Sequence, residues 1–231
     1  MKSSFLGSLE YVPPRMLTRI LSGVCWEGTP ESRTMALTFD DGPDPDITPA
    51  VLDALGETGA RGTFFLVGGS VLEHPGIVRM IAEGGHQIGN HSMTHHRMIF
   101  MKRKEVEEEI DSVQGAVEDA AGVVPVLFRP PHGVFDFTCA RAVRDRAMKM
   151  VLWTALSGDY SDDPRDVLLR RVTPFIRAGS IVVFHDTAKG GGLELPGLIR
   201  EIALAAGDRN VRLGGVDELS LSDDMATGEE A

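Results

Sequence analysis

The chemistry legible in this chain lies in a few side chains that follow short apolar runs. Leu37-Thr38-Phe39-Asp40-Asp41-Gly42-Pro43-Asp44 passes from an apolar segment into two adjacent carboxylates and then into Gly-Pro, the pattern of a buried strand that delivers acids to a loop. Neighbouring carboxylates repel, so two at a strand end imply a cation, a shared proton or two different duties. The competing reading is a solvated Asp-Gly-Pro turn. His91 and His95 stand four residues apart, close enough to converge on one ion if the segment turns helically. Two imidazoles and one carboxylate, with open positions for water, form the ligand pattern of catalytic rather than structural zinc.

Three further segments end in the same way. Phe128-Arg129-Pro130-Pro131-His132-Gly133 carries an arginine where a strand meets its loop, suited to gripping a carboxylate in bidentate fashion. Asp159, in Ser157-Gly158-Asp159-Tyr160, places an acid beyond a fifth strand, and Ile181-Val182-Val183-Phe184-His185-Asp186 ends a strand in a histidine suited to acid/base work. In parallel α/β architectures ligands bind past the C-terminal ends of the strands. The remaining histidines, His74, His86 and His96, read as loop, turn and pocket or surface residues.

The elements that must position these groups alternate short apolar runs with helical stretches, which predicts a parallel α/β fold. Strands are predicted over 35–39, 63–67, 87–89, 126–128, 150–153, 180–184 and, weakly, 211–213. Thr48 with Pro49 reads as an N-cap and first helical position, with Gly59 as the stop. The stretch 104–120 spaces Val106, Ile110, Val113 and Val117 helically, and the glutamates around them form a solvated face. Asp163-Pro164 starts another helix that Pro174 ends or kinks, and 196–206 is the last. Gly190-Gly191-Gly192 lacks the Lys-Ser/Thr of a phosphate loop and reads as a flexible loop near the site.

At 231 residues the chain is long enough for one full core, and a net charge of -11 argues against nucleic acid or an anionic membrane as partner. Cys25 and Cys139, its two cysteines, have no metal-ligand spacing and read as small buried residues. Gly7, Ser8, Glu10, Pro13, Pro14 and Arg15 interrupt any apolar run of signal-peptide length, so a cytoplasmic location is expected. No later run is long and apolar enough to span a bilayer. The oligomeric state is left open.

In order and spacing these five segments resemble the motifs of the metal-dependent polysaccharide deacetylases, the family-four carbohydrate esterases. Thr-Phe-Asp-Asp-Gly-Pro followed by Gly-Asn-His-Ser-x-x-x-His is the specific part. The resemblance implies a distorted (β/α)7 barrel in a single domain over 34–219, with residues 1–33 packing on it and an acidic tail, 220–231, without fixed structure. It implies Asp41, His91 and His95 as ligands of one divalent ion, zinc foremost with cobalt or nickel as alternatives. Asp40 would be the general base held by Arg129, and His185 the general acid oriented by Asp159. A backbone N–H in the 129–133 loop, that of His132, would stabilise the oxyanion.

The implied reaction is hydrolysis of an N-acetyl group on an amino sugar or its polymer. His132, Tyr160 and Val183 stand where the family usually has an aromatic, Trp and Leu, and they bear on the substrate rather than the reaction. Two other readings stay open: an amide hydrolase for a small N-acyl or ureido compound, and a carbohydrate-binding module on a retired scaffold, whose expected mark would be loss of Asp40 or His185.

Overall fold

The computed structural model describes residues 23–161, 163–188 and 191–220. The expectations for residues 1–22 and 221–231, and for Gly190 in the glycine loop, lie outside the described residues.

In chain order the elements are β1 (Val24–Cys25), β2 (Thr34–Asp40), α1 (Thr48–Thr58), β3 (Thr63–Leu66), α2 (Gly68–Glu73), α3 (Pro75–Glu83), β4 (Gln87–Asn90), α4 (Arg103–Ala121), β5 (Leu127–Phe128), α5 (Phe137–Asp145), β6 (Lys149–Val151), β7 (Ala155–Leu156), α6 (Arg165–Val172), β8 (Ile181–His185), α7 (Leu195–Asp208) and β9 (Arg212–Gly214). Each of the seven runs expected from sequence is a strand. The two-residue strands β1 and β7 were not expected, because two residues carry no readable periodicity.

All pairings are parallel, in the order β1-β6-β5-β4-β3-β2-β8-β7, with β9 also on β2. Strands β6 and β7 lie six places apart in that order, yet only residues 152–154 join them. A flat sheet would separate them by about 29 Å at the usual strand spacing, whereas so short a link reaches about 14 Å. The sheet therefore curls round on itself as a distorted barrel; Leu152 N–H donates to Cys25 O (2.8 Å), continuing the β1–β6 ladder, and the Thr154 hydroxyl, next to β7, donates to Trp26 O after β1 (3.2 Å).

Period-two alternation then sorts the side chains of β2. Met35, Leu37 and Phe39 face outward into the main core, with Phe64, Val182 and Phe184, under α1, α3 and α7. Ala36 faces the interior with Phe65, Leu127, Val151 and Ile181. Thr38 and Asp40 share that inward parity, so Asp40 emerges at the open, C-terminal rim.

Helix α4 buries Val106, Ile110, Val113 and Val117 as the periodicity predicted and ends at Gly122 in the left-handed conformation (φ 67°). The start of α1 differs from expectation. Thr48 is the first helical residue, and the Asp44 carboxylate accepts from Asp46 N–H and Ile47 N–H (2.9 and 3.0 Å). The Thr48 hydroxyl instead donates to Asp186 Oδ2 at 2.6 Å and accepts from Asp44 N–H, so it does not cap the helix. His86 Nδ1 accepts from Gly62 N–H and its ring edges onto Phe64, His74 links α2 to α3, and both cysteines are buried and unpaired.

Candidate active site

The expected site residues stand at the C-terminal rim of the sheet. Asp41 leaves β2 with φ 75°, a left-handed conformation unfavourable for a non-glycine residue, which turns its carboxylate away from the strand. The segment after β4 is a loop, not the helical turn that four-residue spacing suggested. Ser92 and His95 both take left-handed dihedrals (φ 66° and 58°), and the bend brings the His91 and His95 rings to 5.0 Å. Asn90 holds this bend: its amide donates to Ile110 O in α4 (2.9 Å) and its carbonyl accepts from Ser92 N–H (2.9 Å). Ser92 Oγ then accepts from His95 N–H (3.0 Å), and Glu109 of α4 accepts from Thr94 N–H and its hydroxyl (2.9 and 2.7 Å). Sequence spacing marked the two imidazoles but not Asn90, whose role needs a partner twenty residues away.

One ligand atom from each of Asp41, His91 and His95 lies within 4.8 Å of the others. His91 Nδ1–H donates to Arg129 O (2.7 Å), which leaves Nε2 a bare acceptor, 3.4 Å from Asp41 Oδ1. That same buried Oδ1 is 2.9 Å from His95 Nε2 and has no hydrogen-bond partner. Acceptors that converge on one point repel unless positive charge lies between them, and this donor set fits a borderline divalent cation. Burial opposes ionisation of Asp41, but the adjacent His91 and His95 rings, with the His185 charge, outweigh it and hold the carboxyl well below the usual range. His96 is not in the cluster; its ring meets the Thr94 hydroxyl.

Asp40 and its partner are placed from opposite walls of the barrel. Arg129 is wholly buried in the lumen, its guanidinium 4.0 Å from the centre of the Phe65 ring. Its Nη1 donates to Asp40 Oδ1 and to the Thr38 hydroxyl, each at 2.7 Å. The grip on Asp40 is therefore through one nitrogen rather than bidentate. Nε and Nη2 donate to Val151 O and Leu152 O at the end of β6 (3.2 and 2.9 Å). Asp40 Oδ2 is left facing His91 Nε2 at 3.9 Å.

The β2–β8 register pairs Asp40 with His185 and Thr38 with Val183, so His185 faces inward beside Asp40 and Val183 lies buried below it. Buried Asp159 accepts from the His185 backbone N–H (2.7 Å) and from its Nδ1–H (2.8 Å), which leaves Nε2 for the cleft. Burial lowers the His185 pKa, but the charge and hydrogen bond of Asp159, helped by Asp40 and Asp41, raise it to about 9. Tyr160, half exposed, sets its ring edge-on to His185 at 5.6 Å. His132 takes φ 57° in the turn Pro131–Gly133 and packs edge-on against His95 at 4.7 Å. Burial and the neighbouring His95 and Arg97 charges push its imidazole down.

The model of the family described as polysaccharide deacetylase matches residues 27–151. The chain belongs to the polysaccharide deacetylase family. Among curated deacetylases of this kind, it is 34% identical over 158 residues to the peptidoglycan-N-acetylglucosamine deacetylase PgdA of Listeria monocytogenes, covering 68% of this chain and 33% of that one. The chain thus spans about a third of that relative's length. It is 33% identical over 160 residues to a chitooligosaccharide deacetylase of Rhizobium leguminosarum bv. trifolii, covering 69% of this chain and 74% of that one. Among solved structures, the Bc1960 peptidoglycan N-acetylglucosamine deacetylase superposes with a TM-score of 0.84 at 26% identity, covering 90% of this chain and 98% of the other. A family-four pseudoenzyme from Bacillus anthracis superposes with a TM-score of 0.80 at 25% identity over 88% and 71% of the two chains. The polysaccharide deacetylase fold is thus the frame for this site. Among the described residues no helix is long and apolar enough to cross a membrane.

Proposed function

We propose that this chain hydrolyses the N-acetyl group of an N-acetylated amino sugar within a β-linked glycan of peptidoglycan or chitin type, releasing acetate and a free amine. The observation that carries this reading is the Asp40–His185 register. It sets a carboxylate held by Arg129 beside an imidazole held by Asp159, on the same inward face as the Asp41-His91-His95 cluster.

A divalent ion held by Asp41, His91 and His95 supplies Lewis acidity, which polarises a carbonyl and makes water more acidic; zinc suits the donor set, and cobalt or nickel would also serve. Asp40 Oδ2 accepts the proton of the attacking water, while Arg129 on Oδ1 keeps the carboxylate aimed. The amide carbon becomes tetrahedral, and the His132 backbone N–H is the donor assigned to the oxyanion. His185 Nε2–H then protonates the leaving nitrogen, since Asp159 fixes Nδ1 as the other protonated position. The C–N bond breaks, leaving the carboxyl product and the amine. Retention of Asp40 and His185 sets this chain apart from the expected mark of a retired scaffold.

Two exposed aromatics favour a glycan over a small amide. Phe100, 94% exposed, follows the His95 loop and Phe137, 90% exposed, follows the His132 loop; Phe100 N–H donates to Asp136 Oδ2 (3.0 Å), next to Phe137. Flat apolar faces at the rim suit the C–H faces of pyranose rings. The deciding experiment is acetate release from an N-acetylglucosamine oligomer by metal-stripped protein, before and after zinc or cobalt is restored. Metal-restored release supports the reading. Silence with proven metal occupancy, together with turnover of a small N-acyl or ureido compound, replaces it with the small-amide hydrolase.

A further inference from the structure

The residue after His185 is buried, ionisable and unused by the mechanism above. Asp186 has no exposed surface, and its Oδ1 is buried without a hydrogen-bond partner. Its surroundings are three parts of the site's scaffold. Its backbone N–H donates to Asp40 O at the end of β2 (3.3 Å). Its Oδ2 accepts from the Thr48 hydroxyl at the start of α1 (2.6 Å), and Thr48 Oγ1 accepts in turn from Asp44 N–H (2.8 Å).

The third part is Gly42, the residue after Asp41. A Cβ at Gly42 would lie 2.4 and 2.6 Å from the two carboxyl oxygens of Asp186 and 2.7 Å from its Cγ, and these are its three nearest atoms. Gly42 does not adopt a left-handed conformation, so the glycine is required by the Asp186 carboxyl and not by its own dihedrals. The turn that carries Asp41 into α1 is thus seated on this carboxyl. Burial pushes the Asp186 pKa well above the usual carboxylate range, with Thr48 opposing and Asp40 and Asp41 adding to the rise, which suits a neutral seat under two acids.

We propose that Asp186 is a positioning residue that sets the Asp41 carboxylate against His91 and His95 by seating the Gly42 turn between β2 and α1. For turnover the proposal rests on the deacetylase reading; for metal affinity it stands on the cluster alone. A buried polar atom left without a partner carries a cost that packing alone would not retain. Removing the seat lets the turn relax towards Asp186, and Asp41 moves with it.

The test is a double-mutant cycle on the full chain, D186A, G42A and the double variant, with D186N as the conservative control. The readouts are cobalt affinity by titration of stripped protein, kcat and KM on an N-acetylglucosamine oligomer at saturating metal, and the unfolding midpoint. D186N keeps size, neutrality and an acceptor for Thr48, and cobalt affinity within a few-fold of wild type is expected. D186A is expected to weaken cobalt binding about tenfold or more, the usual scale for partners behind metal ligands, and to lower kcat more than it changes KM. G42A is expected to weaken binding likewise, and the double variant to fall well short of the product of the two losses, because the vacated space accepts the new methyl group.

Wild-type cobalt affinity and kcat in D186A, with only the unfolding midpoint lowered, would overturn the proposal in favour of a purely structural acid. Losses that multiply fully in the double variant would overturn it too, as would a loss in D186N equal to that in D186A. If wild type turns over no oligomer, the deacetylase reading fails while the cobalt arm still decides the position of Asp41.

Discussion

Asp40 and Asp41 are adjacent in sequence, yet their surroundings differ in kind. Asp40 continues the strand, inward and against Arg129, whereas Asp41 turns left-handed towards two imidazoles. The proposed division of labour follows, and it is testable at one residue: D40N keeps the Arg129 contact but cannot take a proton. We expect kcat for acetate release to fall by about 10²–10⁴ while the stoichiometry of bound zinc stays at the wild-type value. Unchanged release with metal bound would remove Asp40 as the base.

His185 carries a second prediction at this scale. In an unfolded chain the imidazole titrates near about 6.5, and in the folded protein at about 9. The folded state binds the proton more tightly, so the His185–Asp159 pair contributes its full stability below the unfolded value and loses it as pH rises through the folded one. Urea midpoints of metal-free protein should therefore decline across that window, and D159N should flatten the decline. The same substitution should shift the alkaline limb of the kcat profile to lower pH.

At the scale of elements, the proposed metal ligands depend on how a loop is tied to a helix. His91 belongs to the end of β4, but His95 reaches the cluster because Asn90 and Glu109 fasten the intervening residues to α4. Asn90 is wholly buried, so N90A would strand the Ser92 N–H and untie the loop from α4. A loss of about 1–3 kcal/mol in unfolding free energy is expected, with cobalt affinity weakened further than that of a T94A control, whose Glu109 contact lies at the exposed end of the loop. Equal cobalt affinity in the two variants would show that the left-handed residues hold the bend unaided. His132 bears on the same loop, since its ring backs His95.

At the scale of the whole molecule, Arg129 joins the barrel to the site. Its guanidinium spans the lumen from Thr38 and Asp40 on β2 to the carbonyls ending β6, and it packs on Phe65. R129M would leave Asp40 buried without its counter-charge and remove the donors to Val151 O and Leu152 O. We expect a loss of about 3–5 kcal/mol in stability, read from urea unfolding. R129K should also fail to restore the wild-type midpoint, because one ammonium cannot reach every acceptor that the planar fork serves. The two walls of the barrel and the proposed activity are thus linked through one side chain, and a variant that lost activity with no loss of stability would separate them.

Seven of the strands, the helices α1, α4, α6 and α7 and the strand-end placement of Asp40, Asp41, His91, His95, Arg129, Asp159 and His185 were legible in the sequence, because apolar periodicity and strand-end chemistry are local properties, whereas α2, α3 and α5 were not read. The motif order also carried the family. Contacts over long chain separations were not legible. Strands β1 and β7 are too short to carry a pattern and are defined only by their pairing with β6 and β8. The His91–His95 bend depends on left-handed dihedrals that spacing cannot encode, and the single-nitrogen grip of Arg129 follows from carbonyls supplied by another strand. Asp186 reads in sequence as one more polar residue after a strand. Only the folded chain, by burying its carboxyl against Gly42 and Thr48, decides what it holds.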